Sequence, residues 1–143
     1  MILFQGTIKY EKVNEEGIAQ KVSEKYLFDA ESYTEAEATL IKEMEPYISG
    51  EFEIADIKKQ NIAEVFECAE AEADKWYIVK IAIITLDEKT AKEKRTACRF
   101  YQQAESFERA VQAFVQNMHS TMCDWQLLSV SETPIMDYFK RSE

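Results

Sequence analysis

Alternating hydrophobic and polar residues predict a strand hairpin at the start of each half of the chain. Residues 3–13 (LFQGTIKYEKV) and 76–86 (WYIVKIAIITL) are rich in β-branched and aromatic residues, and a polar, turn-forming stretch follows each of them. A second strand pattern comes after each turn, at residues 21–30 (KVSEKYLFDA) and 95–104 (RTACRFYQQA). Each half is therefore expected to begin with two paired strands.

An amphipathic helix is predicted directly after each hairpin. Ser32 with Glu35 forms the Ser-x-x-Glu pattern of a capping box, and Ser106 can cap a helix alone because Arg109 cannot return the reciprocal bond. Apolar residues then recur at helical spacing, which predicts one buried face on each helix. These positions are Tyr33, Ala36, Leu40, Met44 and Tyr47 in the first helix, and Phe107, Ala110, Val111, Phe114, Val115, Met118 and Met122 in the second.

The segment after each helix predicts a third strand, and the two halves share a common layout. Residues 51–66 and 124–139 have matching apolar positions at a separation of 73 residues. The helix starts repeat as well, because AESYTEA begins at Ala30 and AESFERA begins at Ala104, 74 residues later. This order and spacing predict a tandem duplication of a β-β-α-β unit.

The predicted fold class is α+β, with antiparallel sheets, two helices and both units combined in one pseudo-twofold domain. A three-stranded sheet leaves its edges and one face exposed, so two such units gain stability by burying apolar surface together. The expected organisation is one domain over residues 1–143, with repeat 1 at 1–67, a connector at 68–75 and repeat 2 at 76–143.

The net charge of −10 comes wholly from the first half of the chain. Residues 1–72 carry seven Lys and no Arg against 17 acidic residues, whereas residues 73–143 carry ten residues of each sign. Such a surface repels nucleic acid and membrane head groups at long range and attracts basic proteins. Several of the acidic residues have the spacing of a solvated helix face, which we expect to contact a protein partner. They are Glu31, Glu35, Glu37, Glu43 and Glu45.

The second hairpin combines basic residues with aromatic residues, and two interpretations are open. A sheet that exposes both types can bind single-stranded nucleic acid through phosphate contacts and base stacking. Aromatic residues in strands more often pack in a core, and the basic residues would then solvate the turn or offset the acidic half. The residues concerned are Lys89, Lys92, Lys94, Arg95 and Arg99 with Trp76, Tyr77 and Tyr101.

The sequence contains no recognisable catalytic, cofactor or metal motif. Its three cysteines, Cys68, Cys98 and Cys123, are widely spaced and odd in number, which argues against disulfides or a zinc site and favours the cytoplasm. His119 is the only histidine and has core candidates as helical neighbours. No run approaches the ~20 apolar residues that a membrane span requires. We therefore expect a cytoplasmic protein that is not an enzyme and holds no metal or cofactor.

Several stretches resemble a small family with a domain of unknown function, encoded by gut-dwelling bacteria and their phages. They are KYEKV, YTEAEA, PYISGEFEIADIKK, DKWYIVKIAIITLDEKT and SVSETPIMDYF, and the resemblance covers nearly all 143 residues. It implies an intracellular phage or mobile-element setting, and it brings no activity or site residue. The resulting expectation is an accessory factor that binds a host or phage protein through its acidic face. Single-stranded nucleic-acid binding is the alternative, and self-association is left open.

Overall fold

The computed structural model describes residues 2–141, which form eight β-strands and two α-helices. The α+β class is confirmed. The order β-β-α-β-β occurs in both halves, so the single third strand predicted for each half is in fact two strands. Descent of the halves from one duplicated unit stays a prediction. The first half contains β1 (Ile2–Val13), β2 (Ala19–Ala30), α1 (Tyr33–Met44), β3 (Phe52–Lys59) and β4 (Glu64–Phe66). The second half contains β5 (Lys75–Leu86), β6 (Glu93–Ala104), α2 (Phe107–Asn117), β7 (Asp124–Thr133) and β8 (Ile135–Phe139).

The last strand of each half pairs with the hairpin of the other half. The strand orders are β3-β1-β2-β8 and β4-β6-β5-β7. β8 runs parallel to β2, with Phe139 opposite Phe28, and β4 runs parallel to β6, with Phe66 opposite Gln102. Both sheets are therefore mixed, which corrects the expectation of wholly antiparallel sheets. Side-chain alternation predicts that a segment is a strand but does not identify its neighbour. The sequence therefore did not show that β4 and β8 each pair with the hairpin of the other half.

The chain divides into two compact units. Unit 1 comprises Met1–Gln60 and Pro134–Glu143, and unit 2 comprises Asn61–Thr133. Their boundaries differ from those of the predicted repeats, 1–67 and 76–143, because β4 belongs to unit 2 and β8 to unit 1. That the chain acts as one pseudo-twofold domain stays a prediction.

In unit 1, α1 packs against one face of its sheet. The Ser32 hydroxyl oxygen accepts a hydrogen bond from the Glu35 N–H over 3.2 Å, so the predicted cap is confirmed. Leu40 is fully buried and belongs to the same core cluster as Phe4 and Phe28. Both rings lie in the central strands β1 and β2, which places the core of unit 1 beneath the helix.

In unit 2, α2 packs against its sheet in the same way. The Ser106 hydroxyl oxygen accepts the Arg109 N–H over 3.3 Å, which confirms the second cap. Phe114 from the helix meets Phe100 and Trp125 edge to face, with ring centroids 5.2 and 5.7 Å apart. Such edge-to-face contacts add to the stability gained from apolar burial.

Some helix positions that the sequence placed in the core are exposed. The helices end earlier than the predicted apolar faces do, α1 at Met44 and α2 at Asn117, so the residues beyond those points no longer follow helical spacing. The first residue of each helix is also accessible, although its ring packs edge-on against a sheet ring. Val115, inside α2, is exposed because it lies beside and not on the buried row of Ala110, Phe114 and Met118. The exposed residues are Tyr33, Tyr47, Phe107, Val115 and Met122, the last being 99% exposed.

Candidate functional site

A groove of about 580 Å³ lies between α1 and β3 in unit 1, and we call it the acidic groove. Its floor consists of apolar side chains that are buried or half-buried, whereas its carboxylates are exposed. This arrangement offers apolar surface to a ligand and surrounds it with negative charge. The residues that define the groove are Glu37, Ile41, Glu45, Ile48, Gly50, Glu51, Phe52 and Ile54.

Helical spacing explains how α1 contributes to this groove. Residues four apart on a helix lie on the same side, so Glu37, Ile41 and Glu45 form one row. Leu40 and Met44, each one position before a member of that row, are buried against the sheet. The row therefore borders the buried face of α1, with Ile41 half-buried between two exposed carboxylates.

The loop after α1 brings the third carboxylate to the groove. The N–H groups of Tyr47 and Ile48 both bond to the Met44 carbonyl oxygen, over 3.0 and 3.2 Å, and Ile48 is buried. Gly50 follows with a φ of 107°, a conformation that favours glycine because a side chain would be strained there. The chain then enters β3, and Glu51 lies at the groove immediately before the first residue of the strand.

The groove carries uncompensated negative charge. Within residues 2–141, no ion pair involves Glu37, Glu45 or Glu51. Three like charges around apolar surface produce a local negative potential that attracts a cationic ligand. This potential is the main electrostatic feature of the site.

A second depression of about 1050 Å³ continues from the acidic groove along the open ends of β1 and β2. The two share Gly50, Glu51 and Phe52. Tyr10 lines this second depression, and burial, followed by its hydrogen bond to Glu24, raises the pKa of the Tyr10 hydroxyl. Lys9, Glu11, Lys21 and Glu53 also line it, so it presents charges of both signs.

The structure separates the five residues of the predicted acidic face. Glu37 and Glu45 lie at the groove, whereas Glu31 and Glu35 lie near the start of α1. Arg141 pairs with Glu31 at 3.6 Å and with Glu35 at 2.6 Å, which offsets part of their charge.

Glu43 is half-buried and does not line the groove, so only two of the five residues of the predicted acidic face lie there.

Sequence reasoning missed Glu51 and the apolar floor. The available signal was the alternation Glu51-Phe52-Glu53-Ile54, which places apolar residues on one face of the strand that follows the acidic helix.

The second hairpin exposes its basic residues but buries its rings. Trp76, Tyr77 and Tyr101 are 1%, 2% and 2% exposed, so the stacking predicted from the sequence does not fit their placement. Burial raises the pKa of the Tyr77 hydroxyl, which donates a hydrogen bond to Glu132 over 3.4 Å. The physical reason is the usual one for aromatic residues in strands, which pack against neighbouring elements. The exposed basic residues are Lys89, Lys92, Lys94, Arg95 and Arg99.

A cluster of carboxylates in unit 2 already has a protein cation beside it. Carboxylate oxygens of Glu70, Glu72 and Glu105 lie within 4.8 Å of one another. Arg109 pairs with Glu70 at 3.6 Å and with Glu105 at 3.2 Å, which balances part of their charge. His119 is exposed in the loop after α2, outside this cluster.

The chain belongs to the family described as Domain of unknown function (DUF4494), whose profile matches residues 2–141. The match spans nearly the whole chain and confirms the resemblance to a family of unknown function. No curated protein and no solved structure matches the chain. Within the described residues, neither helix is long and apolar enough to cross a membrane.

Proposed function

We propose that the protein is a binding protein that engages a basic partner protein through the acidic groove of unit 1. The observation that carries this proposal is the set of exposed carboxylates Glu37, Glu45 and Glu51, which lack ion-pair partners in the described chain and surround apolar side chains. Burial of Ile41 and Phe52 by a partner would supply binding free energy, and the carboxylates would select its charge.

The charge distribution supports the same partner class. The first half of the sequence, which supplies the whole acidic groove, carries the entire net charge of −10. A charge of one sign raises the association rate of an oppositely charged partner, and the effect weakens as salt screens it. The proposed complex is therefore expected to form faster at low ionic strength.

The cellular setting is part of the proposal. We place the protein in the bacterial cytoplasm, as a non-enzymatic accessory factor of gut bacteria or their phages that binds a host or phage protein. The sequence resemblance supports this setting. The three free cysteines also suit a reducing compartment.

A charge-reversal comparison tests the proposal. The triple variant Glu37→Lys/Glu45→Lys/Glu51→Lys and a matched control, Glu15→Lys/Glu16→Lys/Glu88→Lys, receive the same change of net charge at exposed positions. A protein captured from a bacterial lysate by the wild type is purified, and its dissociation constant is measured for all three proteins. The groove variant should bind at least about tenfold more weakly, a loss of about 1.4 kcal/mol, while the control keeps its affinity. Equal affinities for the two variants would overturn the proposal.

Single-stranded nucleic-acid binding by the second hairpin is a second candidate, favoured by its five exposed basic residues. With the rings buried, such binding would depend on phosphate contacts and weaken steeply with salt. A fluorescent oligonucleotide titrated at two salt concentrations measures this. Salt-insensitive binding, or unchanged binding by Lys94→Glu/Arg95→Glu, would exclude the hairpin as the binding surface.

A further inference from the structure

We infer that the acidic groove receives its partner as a short extended strand added to the outer edge of β3. The inference rests on the proposed function and specifies how the partner is held and which sequence it must have. The partner segment must have apolar residues at alternate positions, with Lys or Arg among or beside them.

The backbone of β3 is available for such pairing. β3 is the end strand of the order β3-β1-β2-β8 and pairs only with β1. Among the residues that the structure describes, no strand pairs with its outer edge. In a strand, alternate N–H and C=O groups point toward each edge, so β3 presents donors and acceptors that an added strand can satisfy.

The length of the accessible edge is set by a β-bulge. Ile54 pairs with Ile8 and Asp56 pairs with Thr7, which leaves Ala55 without an opposite residue in β1. A bulge bends its strand and interrupts regular pairing. The regular part of β3 beside the groove is therefore residues 52–54, and the partner segment is short.

Beyond the bulge, charged side chains discourage further pairing. Lys58 forms an ion pair with Asp56 at 3.4 Å, and Lys59 ends the strand. Lysine on an edge strand is one of the ways in which proteins prevent uncontrolled strand addition. The edge is thus open beside the groove and protected elsewhere.

The side chains of the groove fix the chemistry of the added strand. Phe52 and Ile54 pack against the core that contains α1, so this face of β3 is the face that the helix covers. Alternate side chains of an added strand point to the same face, where they meet Ile41, Phe52 and Ile54. These positions of the partner must be apolar.

The partner's cationic residues follow from the carboxylates on both sides of that apolar surface. Glu37 lies in α1, Glu45 is the residue that follows its last turn, and Glu51 immediately precedes β3. A Lys or Arg side chain can lay its aliphatic stem over apolar surface and direct its charge to a carboxylate. A strand whose apolar residues face the floor, with a basic residue on the same face at either end of them, therefore satisfies the floor, Glu37 and Glu45 and the backbone edge together. A helix would leave the edge groups of β3 to water.

Backbone methylation of a defined peptide tests strand addition directly. The probe is the fluorescent peptide Lys-Lys-Val-Lys-Val-Lys-Lys, in which both Val residues and the two terminal Lys residues share one face of a strand. It is prepared unmodified and with N-methyl groups at either the odd or the even positions. Because alternate N–H groups of a strand point to opposite edges, only one methylated set blocks pairing with β3. We expect one set to bind at least about tenfold more weakly than the unmodified peptide and the other to retain binding. Slowed hydrogen exchange within residues 52–54 should accompany binding of the unmodified peptide.

The outcomes separate this inference from the proposed function. If the two methylated sets bind alike, or the unmodified peptide does not bind, strand addition is wrong. Loss of peptide binding in Glu37→Lys/Glu45→Lys/Glu51→Lys, together with equal binding of the two methylated sets by the wild type, would keep the acidic groove and reject the strand. If that variant still binds the peptide, the acidic groove is not the binding site, and an added strand is not its occupant.

Discussion

The hydroxyl of Tyr138 donates a hydrogen bond to the Asp29 carboxylate over 2.7 Å, across 109 residues of sequence. Tyr138 belongs to β8 and Asp29 to β2, so the bond fastens β8 to the first hairpin. The backbone N–H of Arg141 reaches the same carboxylate oxygen over 3.4 Å. The pairing of β8 with β2 is thus reinforced by side-chain chemistry.

Removing the Tyr138 hydroxyl should destabilise the protein. Tyr138→Phe keeps the ring and deletes a hydrogen bond to an ionised acceptor, so we expect a loss of about 1–2 kcal/mol in the free energy of unfolding. Urea unfolding followed by circular dichroism measures it. The control is Tyr47→Phe at a site that is 76% exposed. If both variants unfold at the same urea concentration, the hydrogen bond does not contribute as described.

Truncating the Phe139 side chain should destabilise the sheet that contains the first hairpin, although Phe139 lies in the second half of the chain. Its ring stacks on Tyr26 in β2 with centroids 5.4 Å apart. Because exchange rates follow local opening, Phe139→Ala should speed hydrogen exchange in β1 and β2 by about tenfold, with β5 and β6 less affected.

The matched variant for that experiment is Phe66→Ala, whose ring stacks on Phe100 in β6 at 5.6 Å. Here the faster exchange is expected in β5 and β6 and not in β1 and β2. If Phe139→Ala speeds hydrogen exchange only in β5 and β6, the result would contradict the observed pairing of β8 with β2.

Adding one methyl group at Gly6 should overpack the core of unit 1. A Cβ atom there would lie 2.5 Å from Leu40 Cδ2 and 2.9 Å from Phe28 Cε1. Gly6→Ala is therefore expected to cost about 1–3 kcal/mol of stability. In a double-mutant cycle with Leu40→Val, which withdraws one of the crowding groups, the cost of Gly6→Ala should fall. Equal costs in both backgrounds would show that Leu40 is not the source of the crowding.

Stability should decrease in alkaline solution because of a buried tyrosine. Burial, followed by the nearby Glu24 carboxylate, raises the pKa of Tyr26 above its ordinary value of 10.0. Above that pH the unfolded chain loses the Tyr26 proton while the folded protein keeps it, so the folded state binds more protons and loses stability as pH rises. Tyr26→Phe should reduce the fall in urea midpoint between about pH 9 and about pH 11. An unchanged fall, relative to wild type and to Tyr47→Phe, would contradict this assignment.

The hairpins and helix starts were predictable because their signals are local. The hydroxyl of Ser32 and that of Ser106 each bond to the N–H three residues later, as the motif indicates. Phe4 and Ile8 are an even number of residues apart, so both side chains lie on the same face of β1, as the two-residue period of a strand indicates. Such features depend on a few adjacent residues and need no knowledge of distant partners.

Features that depend on distant partners were not predictable. The segment containing Val65 could pair with any open edge, and only the folded chain shows it opposite Tyr101. The acidic groove was hidden for a related reason: Glu51 is separated from Glu37 by the rest of α1 and a loop, and the sequence does not show that both border one apolar floor. The bulge at Ala55 was missed because a single extra residue does not stand out in a short apolar pattern.

The exchange of β4 and β8 also has a consequence for biosynthesis. The segment that forms unit 2, Asn61–Thr133, is continuous and can acquire all four of its strands before β8 is translated. The first hairpin emerges before unit 2 yet cannot complete its sheet until β8 has been translated. Domains usually fold from the amino terminus onward during synthesis. In this protein β8, which is translated after unit 2, completes the unit that began first, so a chain terminated before β8 would leave the edge of β2 open.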